Sequence, residues 1–226
     1  MKKQKIFIAC DTTNLNKVKK IIKQSQSKRI KIGYKFGLEF MNSKNGRKFI
    51  SKIKKKIIFI DLKLNDTVNT MKSAVKALKD LKINYLTIHI SSGFAALKAV
   101  KKVSGSIKIV GVTTLTSLNN KDLKLIGYNK SVKNLVVHQA KLAKKAALDA
   151  LVCSPYEVSD VKKVFKKEII TPGIRFNSDK SNKADQKRVL TPKEAFKNGS
   201  DWLVMGRPIT KGNIKNNIKK LIDHLN

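Results

Sequence analysis

The stretch that decides the fold is Ile57-Ile58-Phe59-Ile60-Asp61-Leu62-Lys63-Leu64-Asn65-Asp66. It begins with four consecutive apolar residues, which is typical of a strand buried on both faces of a parallel sheet. Charged residues follow directly, as expected where such a strand leaves the core. Residues 57–62 are therefore predicted to form a strand with polar chemistry at its carboxyl end.

Short apolar runs of this kind recur along the 226-residue chain and alternate with amphipathic segments. The predicted strands are Ile6–Cys10, Ile30–Gly33, Ile57–Leu62, Tyr85–Ile90, Ile107–Thr113, Ala150–Cys153, Glu168–Thr171 and Trp202–Met205. The segments of helical character are Asn14–Gln24, Gly37–Lys54, Val68–Leu81, Phe94–Val103, Asn119–Lys124 with Val132–Leu148, Tyr156–Phe165, Pro192–Lys197 and Asn213–Leu225. Such pairs predict an α/β fold, a single-domain (β/α)8 TIM barrel over residues 1–226. An open doubly wound sheet is the alternative.

The composition excludes several classes of protein. Two cysteines and three histidines are too few for a disulfide-dense scaffold or a four-cysteine zinc site. No apolar run approaches the roughly 18–20 residues that span a membrane. The apolar stretch Ile6–Cys10 is shorter than the h-region of about 7–15 residues in a secretory signal. We therefore expect a cytoplasmic protein without membrane contact.

The net charge of +35, from 50 Lys+Arg against 15 Asp+Glu, raises the possibility of nucleic-acid binding. The basic residues are spread along the whole chain, however, and only five of the 50 are arginine. Aromatic residues make up 6% and do not interleave with the basic ones, as base stacking would require. This pattern favours a solvated lysine surface with no specific nucleic-acid partner.

Polar residues gather at the carboxyl ends of the predicted strands, where barrels carry their active sites. Asp61 and Lys63 are two residues apart on one strand, so both side chains are expected to face the lumen. Ionised groups are costly there unless they are paired. We expect Lys31 to supply a second cation and Asp66 to complete an alternating Lys–Asp array. A solvated salt bridge at the strand end is the alternative.

Two segments near the carboxyl terminus indicate phosphate binding. Thr171-Pro172-Gly173-Ile174-Arg175 follows the seventh strand, and Gly206-Arg207-Pro208 follows the eighth. Barrels frequently bind phosphate with these two loops. Glycine permits close approach of the backbone, and arginine offers a planar fork for phosphate oxygens. Residues 176–185 are polar without an apolar period, so we expect a mobile loop beside the phosphate.

Together these motifs resemble the orotidine 5'-phosphate decarboxylase family. They occur in the same order as in that family, between residues 8 and 210. The matching segments are Ile8-Ala9-Cys10-Asp11, Lys31-Ile32-Gly33, Asp61–Asp66, Asn69-Thr70, His89, Thr114–Ser117, Val152–Pro155, Thr171–Arg175, Gln186-Lys187-Arg188 and Gly206–Ile209. The resemblance implies a TIM-barrel lyase that converts orotidine 5'-phosphate to UMP and CO2. This reaction is the last step of de novo pyrimidine synthesis, and it needs no metal ion or organic cofactor.

The resemblance also implies individual roles. Lys63 would protonate C6 of the pyrimidine as CO2 leaves, and Asp61 would lie close to the substrate carboxylate and help to hold Lys63. In a homodimer, Asp66 and Thr70 would complete the partner's site. The other implied substrate contacts are Asp11 and Lys31 at the ribose hydroxyls, Thr116 and Ser117 at the pyrimidine edge, and Pro172, Arg175, Gln186, Gly206 and Arg207 at the 5'-phosphate.

The chain departs from the usual family pattern near the charged cluster. Asn65 stands where the family usually has His, and Thr67-Val68 stands where Ile-Pro usually follows the second Asp. Neither difference removes a charged catalytic group, and we expect any effect to fall on dimer packing or on contacts near the pyrimidine and ribose. His89 is expected to be a hydrogen-bonding neighbour of the site, and Trp202 is expected to pack between barrel and helices.

Two alternatives to this function stay open at the level of sequence. The first is a Mg²⁺-dependent sugar-phosphate decarboxylase or aldolase of the same superfamily, which shares the Asp-x-Lys-x-x-Asp core. The segments Thr114–Ser117 and Pro172–Arg175 argue against it. The second is a nucleic-acid-binding protein on a barrel scaffold, which would bind nucleic acid with a steep dependence on salt.

Overall fold

The structure, a computed structural model, describes residues 3–176 and 189–225. Its strands are β1 (Lys5–Ala9), β2 (Lys31–Gly37), β3 (Ile57–Leu64), β4 (Tyr85–His89), β5 (Lys108–Val112), β6 (Ala150–Val152), β7 (Glu168–Thr171) and β8 (Trp202–Met205). Each strand pairs in parallel with the next, and β8 pairs with β1 to close the barrel. The predicted TIM barrel is therefore confirmed, and the open doubly wound sheet is excluded.

Helices surround the barrel. They are α1 (Leu15–Gln24), α2 (Leu38–Met41), α3 (Gly46–Lys52), α4 (Val68–Ala77), α5 (Phe94–Val103), α6 (Asn120–Leu125), α7 (Val132–Lys145), α8 (Val158–Val164), α9 (Pro192–Lys197), α10 (Arg207–Thr210) and α11 (Ile214–Leu225). Local sequence sets several of their ends: the Asn14 side chain accepts the N–H of Lys17, and Thr191 forms a capping box with Glu194. No helix in the described ranges is both long enough and apolar enough to cross a membrane.

The second β/α unit differs from its prediction. The predicted helix Gly37–Lys54 is two short helices, because the chain turns after α2 and Gly46 then packs against the carbonyl oxygen of Phe40. A Cβ at Gly46 would lie 2.1 Å from that oxygen, so a larger residue would force the two helices apart. Strand β2 extends to Gly37 rather than ending at Gly33, since Lys35 interrupts the apolar run without ending the strand.

The middle of the barrel lumen is filled by an aromatic layer, and Trp202 belongs to it. Its ring stacks on Phe7 with centroids 4.0 Å apart, and Phe7 also contacts the rings of Phe59 and Tyr85. The expectation that Trp202 packs between barrel and helices is therefore wrong, because its side chain faces inward from β8. Gly33 makes room for this layer, since a Cβ there would lie 2.6 Å from the Phe7 ring.

The amino-terminal end of the lumen is closed by an ionic cluster around Glu168. Its carboxylate lies 3.0 Å from the ammonium of Lys5 and 2.8 Å from that of Lys108, and it accepts hydrogen bonds from Tyr85 and Trp202. Burial alone would raise the pKa of Glu168, but these donors more than offset it and lower the pKa from 4.5 to about 2.

We expect Glu168→Gln to lower the free energy of unfolding at neutral pH by about 1–3 kcal/mol, because it removes a charge that two lysines share. A depressed pKa contributes stability above the unfolded-state value and loses it as pH falls. The wild type should therefore lose stability between about pH 5 and pH 2, and the variant should lose less over that window. Urea denaturation at a series of pH values measures both effects.

Asp160→Asn is the control, because Asp160 also faces two lysines, Lys133 and Lys163, but both of these lysine side chains are largely exposed. Solvent and salt screen such pairs, so its cost should be smaller. Equal losses for the two variants would contradict a larger contribution to stability from the cluster around Glu168.

Candidate active site

A cavity of about 360 Å³ opens at the carboxyl ends of the strands. One side of it is ionic and formed by residues of β1 to β3 and the loop after β1, whereas the opposite side is formed by the loops after β7 and β8. Apolar side chains, including Phe59 at the top of the aromatic layer, form its floor. The ionic side consists of Asp11, Lys35, Asp61 and Lys63, and the opposite side of Pro172, Gly173, Arg175, Gly206 and Arg207.

The four ionic residues form one alternating chain of charges. The ammonium of Lys35 lies 3.1 Å from Oδ1 of Asp11 and 3.3 Å from Oδ2 of Asp61. The ammonium of Lys63 lies 2.9 Å from the same Oδ2 of Asp61. Each inner charge therefore has opposite charges on both sides, which offsets the cost of removing it from water.

The second cation of this array is Lys35, and the prediction that Lys31 supplies it is wrong. Lys31 is the first residue of β2, pairs with Lys5 at the amino-terminal end of the barrel, and is exposed. Lys35 lies four residues further along the same strand, opposite Phe59 of β3, which brings it to the end where Asp61 emerges. The reason is the longer β2, whose carboxyl end lies at residue 37 instead of residue 33.

The charges of the array hold one another in the ionised state. Burial lowers the pKa of Lys35, but the nearby carboxylates of Asp61 and Asp11 raise it by more. The pKa of Lys35 is therefore above its usual value. Burial raises the pKa of Asp61, whereas Lys35 and Lys63 lower it, and the net pKa is below its usual value. Both groups are therefore charged at neutral pH.

Lys63 reaches the cavity from an unusual backbone conformation. Its φ of 51° lies in the left-handed region, which is costly for a residue with a side chain. The register of β3 against β4 shifts between Ile60 and Leu64, so β3 bulges at this point. The N–H of Lys63 donates to the hydroxyl of Thr87 on β4, at 2.8 Å, and thereby stabilises the bulge.

The remaining predicted residues of the Asp61–Thr70 region lie outside the cavity. Asp66 and Thr70 are exposed, and Asp66 accepts the N–H of Thr67, the residue before α4. Thr70 shares a hydrogen bond with the Thr67 hydroxyl at 3.0 Å. Both residues are therefore displayed on the surface beside the site rather than within it.

Thr114, Leu115 and Thr116 line the cavity from the loop after β5, whereas Ser117 in the same loop is exposed and does not line it. Gln139 of α7 holds this loop by accepting the N–H and the hydroxyl of Thr114.

The β7–β8 side presents the residues predicted to hold phosphate. Pro172, Arg175, Gly206 and Arg207 all line the cavity, together with Gly173. The backbone at Gly173 has a φ of 77°, which favours glycine. Gln186, Arg188 and residues 177–185 of the predicted mobile loop lie outside the described residues. Phe176, the first residue of that predicted loop, is buried against His224.

His89 ends β4 half-buried beside the ionic array. Burial lowers its pKa, the nearby Lys63 lowers it further, and Asp61 opposes both effects. The neutral imidazole is therefore favoured at neutral pH. Among the described residues there is no group of three or more His, Cys, Asp or Glu side chains placed to hold a metal ion.

Sequence reasoning missed three residues of this region: Lys35, Thr87 and Gln139. Lys35 carried a usable signal, because Lys35-Phe36-Gly37 repeats the Lys-apolar-Gly pattern of Lys31-Ile32-Gly33. Thr87 and Gln139 carried none, since a threonine in a strand and a glutamine in a helix are unremarkable until the fold brings them to the site.

A protein-family model described as "Orotidine 5'-phosphate decarboxylase / HUMPS family" matches residues 4–220. The chain belongs to this family. It is 44% identical over 213 residues to the orotidine 5'-phosphate decarboxylase of Wolbachia pipientis subsp. Culex pipiens (strain wPip), covering 91% of each chain. It is 42% identical over 226 residues to that of Wolbachia sp. subsp. Brugia malayi (strain TRS), covering 96% of each. The crystal structure of the enzyme from Lactobacillus acidophilus is also similar, with a TM-score of 0.82 and 29% identity over 99% of each chain.

The positions at which this member departs from the usual family pattern lie outside the cavity. Asn65 accepts a hydrogen bond from the hydroxyl of Ser92 at 2.8 Å, which ties the end of β3 to the turn after β4. Thr67 and Val68 start α4. The four charges of the array are therefore unaffected by these substitutions.

We expect Lys35→Met to lower the free energy of unfolding by about 1–3 kcal/mol, because Asp61 would keep only one of its two cations in a buried position. Lys31→Met, on the same strand but exposed, should change it by no more than about 0.5 kcal/mol. Urea denaturation of the two variants provides the comparison. A Lys31 variant as unstable as the Lys35 variant would be evidence against the assignment of the array.

Proposed function

We propose that the protein is a carboxy-lyase that converts orotidine 5'-phosphate to UMP and CO2 without a metal ion or an organic cofactor, with Lys63 as the proton donor. The single observation that carries this proposal is the Lys63 ammonium at the cavity, 2.9 Å from Asp61, in a chain that belongs to this family. The arginines on the opposite side of the cavity suit the phosphate of such a substrate.

The proposed chemistry is a decarboxylation with proton transfer. The bond between C6 and the carboxylate breaks, its electron pair remains on C6, and CO2 leaves. The Lys63 ammonium stabilises the negative charge that develops at C6 and then transfers a proton to it, so that a new C–H bond forms. No electron acceptor is needed, because carbon keeps the electron pair that the proton then shares.

Asp61 contributes in two ways to this mechanism. It holds the Lys63 ammonium through the 2.9 Å ion pair, so the proton donor is in place before substrate binds. Its charge also lies close to where the substrate carboxylate would be, which disfavours the bound substrate relative to the transition state. Binding energy from the distant phosphate offsets the cost of bringing two carboxylates together.

Metal independence is supported by the hydrogen-bonding state of Asp61. Its Oδ2 faces the ammonium groups of both Lys35 and Lys63, and its Oδ1 accepts the hydroxyl of Thr87. Two ammonium groups at this carboxylate supply the positive charge that a divalent cation supplies in a metal-dependent site. A magnesium ion at the same carboxylate would be repelled by them.

Substrate binding is proposed to follow the two sides of the cavity. Lys35 takes the role first expected of Lys31 and contacts the ribose hydroxyls together with Asp11, since these two residues lie next to each other. Thr116 contacts the pyrimidine edge from the loop after β5, and Ser117 joins it only if that loop moves on binding. The 5'-phosphate is held by Arg175, Gly206 and Arg207 with Pro172 packed nearby and Gln186 completing the group.

We further propose a homodimer in which Asp66 and Thr70 complete the partner's site. The support is their position. Asp66 follows β3, Thr70 lies in the first turn of α4, and both residues are exposed and do not line the cavity of their own protomer. A carboxylate from the partner would extend the alternating array beyond Lys63.

We expect Lys63→Ala to lower kcat by about 10²–10⁴-fold, because the variant lacks the proton donor. The assay is decarboxylation of orotidine 5'-phosphate in the presence of EDTA. Lys82→Ala is the control, since Lys82 has the same left-handed backbone conformation but lies at the exposed end of a 3₁₀ turn. Equal rates for the Lys63 and Lys82 variants would exclude Lys63 as the donor. Wild-type activity that vanished in EDTA and returned with Mg²⁺ would favour the metal-dependent alternative.

The shared site predicts complementation between two inactive variants, Lys63→Ala and Asp66→Ala. A mixed dimer contains one site with both an intact Lys63 and an intact partner Asp66. Unfolding and refolding an equimolar mixture should therefore restore about a quarter of wild-type activity, since half of the dimers are mixed and each has one intact site. A mixture as inactive as its components would place both residues in the same protomer's site.

A further inference from the structure

The bulge in β3 brings three residues of the catalytic strand opposite a single residue of β4. Register is lost between Ile60 and Leu64, and in this interval Thr87 alone stands across from β3. Extra residues of this kind bend a strand and redirect its side chains. Here they put Lys63 into the left-handed conformation with φ of 51°. Something must hold this conformation in place, because a non-glycine residue adopts it at a cost.

The Thr87 hydroxyl makes two hydrogen bonds, one to each catalytic residue. It accepts the backbone N–H of Lys63 at 2.8 Å, in place of the carbonyl that a regular ladder would offer. It donates to Oδ1 of Asp61 at 3.0 Å, on the side of the carboxylate away from Lys63. Thr87 itself has no exposed surface, so water does not compete for either bond. One hydroxyl therefore orients both the carboxylate and the backbone that carries the ammonium.

We propose that Thr87 is a positioning residue for catalysis, which sets the location of the Lys63 ammonium and the Asp61 carboxylate relative to the reacting carbon. The inference rests on the proposed function, since it assigns Thr87 an effect on proton transfer by Lys63. Thr87 does not line the cavity, so it acts through these two residues and not on the substrate.

The electrostatics of Asp61 support this role. Burial raises the pKa of this carboxyl, and the two lysines lower it, with hydrogen bonds from Lys63 and Thr87 lowering it further. The hydroxyl thus acts together with the lysines to keep Asp61 ionised. The phosphate side of the cavity lies across the barrel on the loops after β7 and β8, so loss of the hydroxyl should leave phosphate binding unaffected.

The test compares Thr87→Val with Thr87→Ser and with Thr113→Val, using turnover of orotidine 5'-phosphate in EDTA. Valine keeps the shape of threonine and removes the hydroxyl, whereas serine keeps the hydroxyl. Thr113 is the matched control, because it is a buried threonine at the end of β5 whose hydroxyl donates to the carbonyl of Val152 and not to a catalytic residue. We expect Thr87→Val to lower kcat by about 10²-fold with KM near the wild-type value, since misplaced catalytic groups slow the chemical step.

Thr87→Ser should restore most of the lost kcat, and Thr113→Val should turn over close to the wild-type rate. If Thr87→Val does not fold, the pair Thr87→Ser and Thr87→Ala makes the same comparison with a smaller side chain. A Thr87 variant without the hydroxyl whose kcat matches that of Thr113→Val, or whose defect lies only in KM, would overturn the inference. Absence of turnover by the wild type would instead overturn the proposed function itself, so the two failures are distinguishable.

Discussion

The structure depends on a buried carboxylate, Asp61, that is held between two ammonium groups. A lone charge in the lumen of a barrel would be expelled or neutralised, because water cannot solvate it there. Lys35 and Lys63 make the charge stable, and Asp11 extends the chain of pairs towards solvent. The same arrangement places the ammonium of Lys63, the proposed proton donor, at the cavity before any substrate arrives. The interaction that stabilises the fold locally therefore also suits the proposed chemistry.

Both ends of the lumen contain a network of ion pairs, but the two networks differ in what they border. At the amino-terminal end, Glu168 pairs with Lys5 and Lys108 and accepts hydrogen bonds from Tyr85 and Trp202 of the aromatic layer. At the carboxyl end the charges border an open cavity and are partly accessible. The aromatic layer between them keeps the clusters apart. Glu168 is held by two lysines and two hydrogen-bond donors and contributes to stability. The charges at the other end line the cavity and are therefore available to a ligand.

Much of the fold and part of the site could be predicted from the sequence. The strand after residue 57 was recognisable because both of its faces are buried, and the ends of α5 and α9 agree with the apolar period and with Pro192 at the start of α9. Lys31 was wrongly chosen because β2 contains the Lys-apolar-Gly pattern twice, at Lys31 and at Lys35. Side chains two or four residues apart share a face of a strand, so alternation alone cannot decide which lysine reaches the open end. Thr87 could not be identified from the sequence for a related reason, since its importance comes from the register shift of the neighbouring strand.

By itself, the sequence determined the succession of strands and helices, the charged strand end from Asp61 to Asp66, and the clustering of scarce arginines after the last two strands. These features are local, because hydrophobic period and residue type express them within a few positions of the chain. Only the tertiary structure decided which lysine faces Asp61, how the Lys63 backbone is held, and that Trp202 fills the lumen. Those outcomes depend on strand register and barrel closure, which bring together residues that are distant in the chain and whose pairing no local pattern encodes.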